Sequence, residues 1–431
     1  MQRAMPMPLR PAMTALSLLS LATAAGAAMV FLTQTLLARR YGPDDYGLFA
    51  SSLATVTVIA PLAGFGLSQY RLKVFGAEGW AAQRWRVASE RFITLTTALT
   101  LAVLVAWALW GPPVDARTRE FLLVLSPVVL GLLAVEQIGS KLRLEDRHAA
   151  LAGWQLLVPG GRLLVALLAT AWLAMPLISV AWAYAVLALL VLAMAAPQWI
   201  AMARGRWSLH GHGASLQSSD APKPGIRELA WQAWPYGMAA VLYPVFFQIG
   251  TVLLKYLAGD AAAGHFGIAL AVMTAIYLFP ATVYQKFLIA KLHRWAVHDR
   301  ARFDQVYRWG AMAMLASGLI VAALLYVAAP WATLVFGQAY DGLESLLRLL
   351  AICVPLRFLS TAVGSVLLTE RHMRYRVAAM ALAALAAVLL NLALIPALAE
   401  TGAAWATVGA EALLLALMAY GARRVRKGEL R

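Results

Sequence analysis

A single cysteine, Cys353, stands among 431 residues, so the chain has no material for an internal disulfide framework or a paired-cysteine metal site. Charge is scarce as well: 13% of the residues are charged, about half the share usual in globular proteins. Acidic residues are the rarer kind, 20 against 36 basic ones. The basic residues sit in short clusters without an aromatic-bearing sheet or a helical basic stripe, which argues against nucleic acid as a partner. GxSxG, HExxH and P-loop patterns are missing, and no carboxylate pair has catalytic spacing. These absences disfavour a hydrolase, a metalloenzyme and a nucleotide-driven pump. The expectation is a protein that is not an enzyme and takes no cofactor and no metal.

Apolar surface is what the sequence has in excess. Hydrophobic residues make up 62% of the chain and the mean hydropathy is +0.72, more than a water-surrounded core absorbs. Apolar stretches of roughly 20 residues recur, each long enough to cross a ~30 Å hydrocarbon layer as a helix. Reading them against their charged or Gly/Pro-rich breaks places twelve spans at 13–38, 46–70, 92–110, 121–140, 151–173, 178–200, 230–257, 264–285, 309–332, 345–369, 377–396 and 403–422. No apolar/polar alternation of barrel type is present, so the fold class expected is an all-α polytopic membrane protein of about twelve transmembrane helices. The first run imitates a signal peptide behind Arg3 and Arg10, but it continues to Leu37 and is the length of a span.

Alternate connections differ sharply in Lys and Arg. One set, including both ends, carries 28 of the 36; the opposite set carries 5, and Arg162, Arg348 and Arg357 lie inside spans. The positive-inside rule then puts both termini in the cytoplasm of a plasma or inner membrane. The longest inner connection is polar and central, which divides the chain into lobes at 1–203 and 230–431 joined by a linker at 204–229. His210 and His212 in that linker are more simply solvated than metal-bound. The chain also aligns with itself: LLARRYGPDDYGLFASSLATVTVIA from Leu36 lies over LLKYLAGDAAAGHFGIALAVMTAIY from Leu253, pairing Gly42 with Gly259 and Gly47 with Gly264 at an offset of 217. LEDRH at Leu144 resembles LTERH at Leu368 in the same way. Six spans per half make this a parallel repeat of the kind transporters use, with a cavity expected between the halves.

LLARRYGPDDYGLFA at Leu36, TLVFGQAYDGLESLLRLLAI at Thr333 and LLNLALIPALAETGAAWATVGAE at Leu389 together resemble the polysaccharide and O-antigen flippases of the multidrug/oligosaccharidyl-lipid/polysaccharide exporter superfamily. The resemblance implies a two-lobed bundle working by alternating access on an undecaprenyl-diphosphate-linked oligosaccharide, the repeat unit of a lipopolysaccharide or exopolysaccharide. It further implies membrane lipids, a glycan polymerase and a chain-length regulator as partners. Many relatives carry an Asp in the seventh helix where FFQIGTVLLKYLAG has Gln248, so the resemblance implies no ion coupling through that position.

A diphosphate crossing hydrocarbon needs cationic partners in a wet cleft, and the fork of Arg suits it. Arg162 and Arg357 sit near span centres, Arg162 roughly 16 Å from either end, and a lipid-facing Arg there costs about 2.5–3.5 kcal/mol. Both are therefore expected to face a cavity or a partner, with Arg39 and Lys255 as outer cations. The competing reading is structural: Arg357 paired with Glu411, or Arg162 with Glu136. Glu136 and Glu411 are also the candidates for ion coupling. Gln34, Gln248 and Asn391 are candidates for sugar contacts, although amides in spans commonly bond helix to helix. The rival functions are a drug or cation antiporter of the same superfamily and a membrane-embedded glycan polymerase or ligase; short outer loops speak against the latter.

Overall fold

The computed structural model describes residues 9–112, 115–172, 175–209, 222–283, 300–368 and 372–427. His210 and His212 lie outside them. The described residues form helices and short turns without a strand. The helices are α1 (Leu9–Ile59), α2 (Leu67–Glu78), α3 (Arg86–Trp110), α4 (Ala116–Leu125), α5 (Val128–Leu144), α6 (His148–Leu167), α7 (Leu177–Ala203), α8 (Ile226–Leu257), α9 (Asp260–Val283), α10 (Arg300–Ala328), α11 (Ala332–Phe336), α12 (Leu343–Leu350), α13 (Cys353–Gly364) and α14 (Met373–Lys427).

Among the described residues, nine stretches are long and apolar enough to cross a membrane, the first running from Ser17 to Trp110. Backbone breaks subdivide the longest. In α1 the break is Gly42, whose φ of 74° only glycine adopts without strain, followed by Pro43 at the start of the next helical segment. Gly259, aligned with Gly42 in the sequence, makes the corresponding turn between α8 and α9 with φ 95°. In α14 the break is Ala399, at φ 47°, a strained value for a residue with a side chain, just before Gly402. Between α4 and α5, Pro127 interrupts the helix; Asp115 caps the start of α4 by accepting from the Thr118 N–H at 2.6 Å.

Burial is arranged for a bilayer. Large apolar side chains face outward, Leu99 at 62% exposure and Leu324 at 64%, while polar groups such as Arg71, Gln137, Lys141, Asn391 and Glu411 are buried. This inversion is the reason the composition could not be that of a water-soluble core. Helices approach through small residues: a Cβ on Gly131 would lie 2.9 Å from the Ala188 Cβ, and one on Gly318 2.8 Å from the Pro355 Cα.

By contacts the chain groups into two compact units. One comprises residues up to Val30 together with Val56–Val241; the other comprises Phe31–Thr55 together with Leu242–Arg431. Residues 31–55 and 230–241 thus group differently from the lobes read along the sequence, because α1 and α8 each contribute to both units. In the first unit α5, α6 and α7 share a core of Ala134, Ile138, Leu142, Leu151, Val191, Ala195 and Met202. A polar network lies beside it. Arg71, 4% exposed, donates to Gln137 Oε1 and to Glu90 Oε1, both at 2.8 Å, and Trp199 Nε1 donates to the other Glu90 oxygen at 3.1 Å. Lys141 pairs with Glu145 at 3.1 Å and donates to Gln198. Positive-inside counting treats Arg71 and Lys141 as loop charges; the structure has them inside, binding α2, α3, α5 and α7 together.

Candidate functional site

Arg357 lies on α13, two residues beyond Pro355, and Glu411 on the second arm of α14. The Arg357 Nη2 is 2.9 Å from Glu411 Oε1, and the two side chains are 13% and 0% exposed. This is an ion pair by distance whose angle is not that of a hydrogen bond: Arg357 Nε and Nη2 and both Glu411 oxygens have no hydrogen-bond partner among the described residues. Three aromatic rings enclose the guanidinium, Phe247 at 4.2 Å from ring centre to Cζ, Tyr277 at 5.2 Å and Phe246 at 5.4 Å. Each ring offers its negative face to the cation. Tyr243 packs on Phe247 at 4.6 Å. The cluster therefore joins α8, α9, α13 and α14 in the second unit.

Of the two ion pairs that sequence alone allowed, Arg357 with Glu411 forms and Arg162 with Glu136 does not. Arg162, on α6, is half-buried and stacks on the Tyr184 ring of α7 at 5.0 Å, with no ionic or hydrogen-bonding partner among the described residues. Glu136, on α5, is exposed and accepts a long 3.4 Å hydrogen bond from Ser68. The positioning of Arg162 follows from Pro159 and the glycines beside it: Gly161 meets Leu187 of α7 so closely that a Cβ would lie 2.5 Å from that side chain. The neighbouring guanidinium is thereby brought to Tyr184.

The remaining sequence candidates have local partners. Arg39 donates to the Val335 carbonyl at 3.3 Å. Lys255 pairs with Asp260 at 2.5 Å across the turn from α8 to α9. Gln34 accepts from the Tyr46 hydroxyl at 2.5 Å, within the hairpin made by the Gly42 break. Gln248 is half-buried in α8. Asn391 is buried, donates to the Ala387 carbonyl at 2.7 Å, and leaves its Oδ1 without a hydrogen bond among the described residues, facing Gly250 of α8. One residue was missed. Arg376, counted as an inner-loop charge, is half-buried within electrostatic reach of Arg357 and has no hydrogen bond or ion pair among the described residues. Its place directly before the apolar run of α14 was the available signal.

Described residues that are helical, with outward apolar faces and deep arginines, make this a multi-pass membrane protein. The chain belongs to the polysaccharide biosynthesis protein family, which it matches over residues 14–286. Its fold is that of the MOP superfamily. A multidrug resistance MATE family transporter of that superfamily, in an inward-facing conformation, superposes with a TM-score of 0.68 at 13% identity over 94% of this chain and 95% of that one. Lipid II flippase MurJ, in an inward closed conformation, gives 0.70 at 11% identity over 94% and 87%. A MOP superfamily transporter from Pyrococcus furiosus gives 0.62 at 16% identity over 97% and 96%. Comparison with curated proteins finds no match.

Proposed function

We propose that this protein is a flippase that carries an undecaprenyl-diphosphate-linked oligosaccharide across the inner membrane by alternating access, without bond chemistry on its cargo. The observation that carries the reading is the state of Arg357: a deep guanidinium whose Nε and Nη2 have no hydrogen bond among the described residues. An anionic oxygen approaching it gains charge-assisted hydrogen bonds that Glu411 leaves unmade. Arg376 supplies a second cation near by and Arg162 a separate one in the first unit. Glu411 is the coupling group of this reading. When a phosphate takes Arg357, the buried carboxylate loses its counter-charge, and uptake of a proton relieves the cost of leaving it bare.

The family assignment supports a role in polysaccharide biosynthesis. Membership does not choose between a lipid-linked oligosaccharide and a cationic drug as cargo, and the aromatic rings beside a carboxylate suit a cation equally well. Arg357 already fills that aromatic box, which favours the anion. Deleting the gene in its own host is the deciding experiment. The flippase reading expects surface glycan to disappear while lipid-linked oligosaccharide accumulates on the cytoplasmic face. Normal surface glycan in the deletion strain, with increased sensitivity to cationic drugs, sinks it in favour of the antiporter.

A further inference from the structure

Away from the arginines, the first unit holds a hollow of about 1010 Å³. One wall is α3, where Phe92 and Thr96 stand one turn apart. Thr96 uses its hydroxyl on the Phe92 carbonyl at 2.8 Å and on the Gly64 N–H at 3.0 Å, so its methyl is left for the hollow. Another wall is one face of α8, carrying Arg227, Trp231 and Trp234 at helical spacing, with the two indoles 76% and 48% exposed. The floor is Phe65. Its φ of 35° lies between Gly64 at 73° and Gly66 at 70°, three left-handed residues in succession. That backbone sets the Phe65 ring against Gly237 of α8, where a Cβ would stand 2.2 Å from the ring. An aromatic residue held in a left-handed conformation by two glycines is a costly arrangement, and such strain gathers at working sites.

Tryptophans at the membrane interface are ordinary when they stand singly and face outward. Here two indoles and two phenyl rings surround a space, and among the described residues the charged side chains lining it are Arg227 and Glu228. Gln232 donates to Glu228 at 3.4 Å, whereas Arg227 is exposed with no ionic or hydrogen-bonding partner among the described residues. A space walled by aromatic rings, with a cation that is unpaired among the described residues, is complementary to a lipid with one chain and one phosphate terminus. A phospholipid presents two tails to each phosphate and fits it less well.

We propose that this hollow is the docking groove for the polyisoprenoid chain of a polyprenyl phosphate, with Arg227 at the phosphate end. The inference rests on the transport reading above and adds to it where the tail of the cargo is held. Methyl-branched isoprene units lie against the faces of Phe65, Phe92, Trp231 and Trp234.

The test uses the whole protein in phospholipid nanodiscs and an undecaprenyl phosphate probe bearing a mid-chain diazirine, with cross-linked peptides mapped after illumination. Labelling is expected on the peptides that carry Phe92 and Trp231, competed about tenfold by excess unlabelled undecaprenyl phosphate but not by the same excess of phosphatidylglycerol. Ala230→Trp, which fills the hollow, and Arg227→Glu, which reverses its charge, are each expected to lower that labelling. The wild-type map decides the matter even if a variant fails to fold. Equal competition by phosphatidylglycerol overturns the proposal, because the hollow then takes any lipid chain. Labelling confined to peptides around Arg357 overturns it while leaving the transport reading intact, and that reading stands or falls on the deletion strain.

Discussion

Gly47 and Gly264, 217 positions apart in the sequence, lie against one another: a Cβ on Gly47 would stand 1.8 Å from the Asp260 carbonyl oxygen, and one on Gly264 2.2 Å from the Pro43 carbonyl oxygen. The segment of α1 after Gly42 and the start of α9 therefore touch backbone to backbone. Neither carbonyl belongs to a flexible side chain, so an added methyl is accommodated only by parting the helices. Gly47→Ala and Gly264→Ala are each expected to cost about 1–3 kcal/mol, at the upper end of overpacking. Thermal melting of the purified protein checks this, with Gly153→Ala as control because nothing lies within 4 Å of that Cβ position. Equal melting temperatures for all three variants refute the close approach.

Arg357 and Glu411 form a buried pair, so removing one member leaves the other bare. Arg357→Ala is expected to destabilise by about 3–5 kcal/mol. Arg357→Met combined with Glu411→Gln restores much of that stability, since both charges are gone. Export of glycan stays lost in the double variant if Arg357 receives phosphate. Full export by a stable double variant removes the pair from the mechanism.

Arg162 predicts the opposite pattern. With the guanidinium over the Tyr184 ring and no carboxylate paired with it among the described residues, Arg162→Ala removes one cation–π contact worth about 0.5–2 kcal/mol. Abundance and melting temperature are expected to change little while surface glycan falls sharply. The informative comparison is Arg162→Lys, which retains charge without the planar fork; export restored fully by Lys argues for simple charge, and partial rescue argues for bidentate recognition.

The network of Arg71, Glu90, Gln137 and Trp199 is expected to matter for folding. Arg71 is almost wholly buried and its charge is met by Glu90. Arg71→Ala should cost about 3–5 kcal/mol and lower the yield of folded protein in detergent. Whatever correctly inserted protein remains is expected to transport cargo at the normal rate per molecule. A transport defect in stably folded Arg71→Ala protein would show instead that the network takes part in the cycle.

Much of the architecture was legible before any coordinates. Apolar run length and hydropathy dictate membrane helices, because backbone groups in hydrocarbon must bond within their own segment. The Gly-Pro step at Gly42–Pro43 announced a break, and the paired glycines marked positions where backbone conformation or close approach excludes a side chain. Charge roles were harder to read. Arg71, Lys141 and Arg376 look like the other inner-loop cations in sequence, since a residue just outside an apolar run is equally able to point to water or fold back into the bundle.

The sequence by itself determined a multi-helix membrane protein and the short list of arginines deep enough to need a partner, because length and hydropathy act locally along the chain. Only the tertiary structure decided which partner each one has. Arg357 meets Glu411 and three rings drawn from separate helices, whereas Arg162 meets Tyr184 and Glu136 stays apart. Those pairings depend on helix rotation and on which glycines let helices close together, and such distances between remote segments leave no mark in the order of the residues.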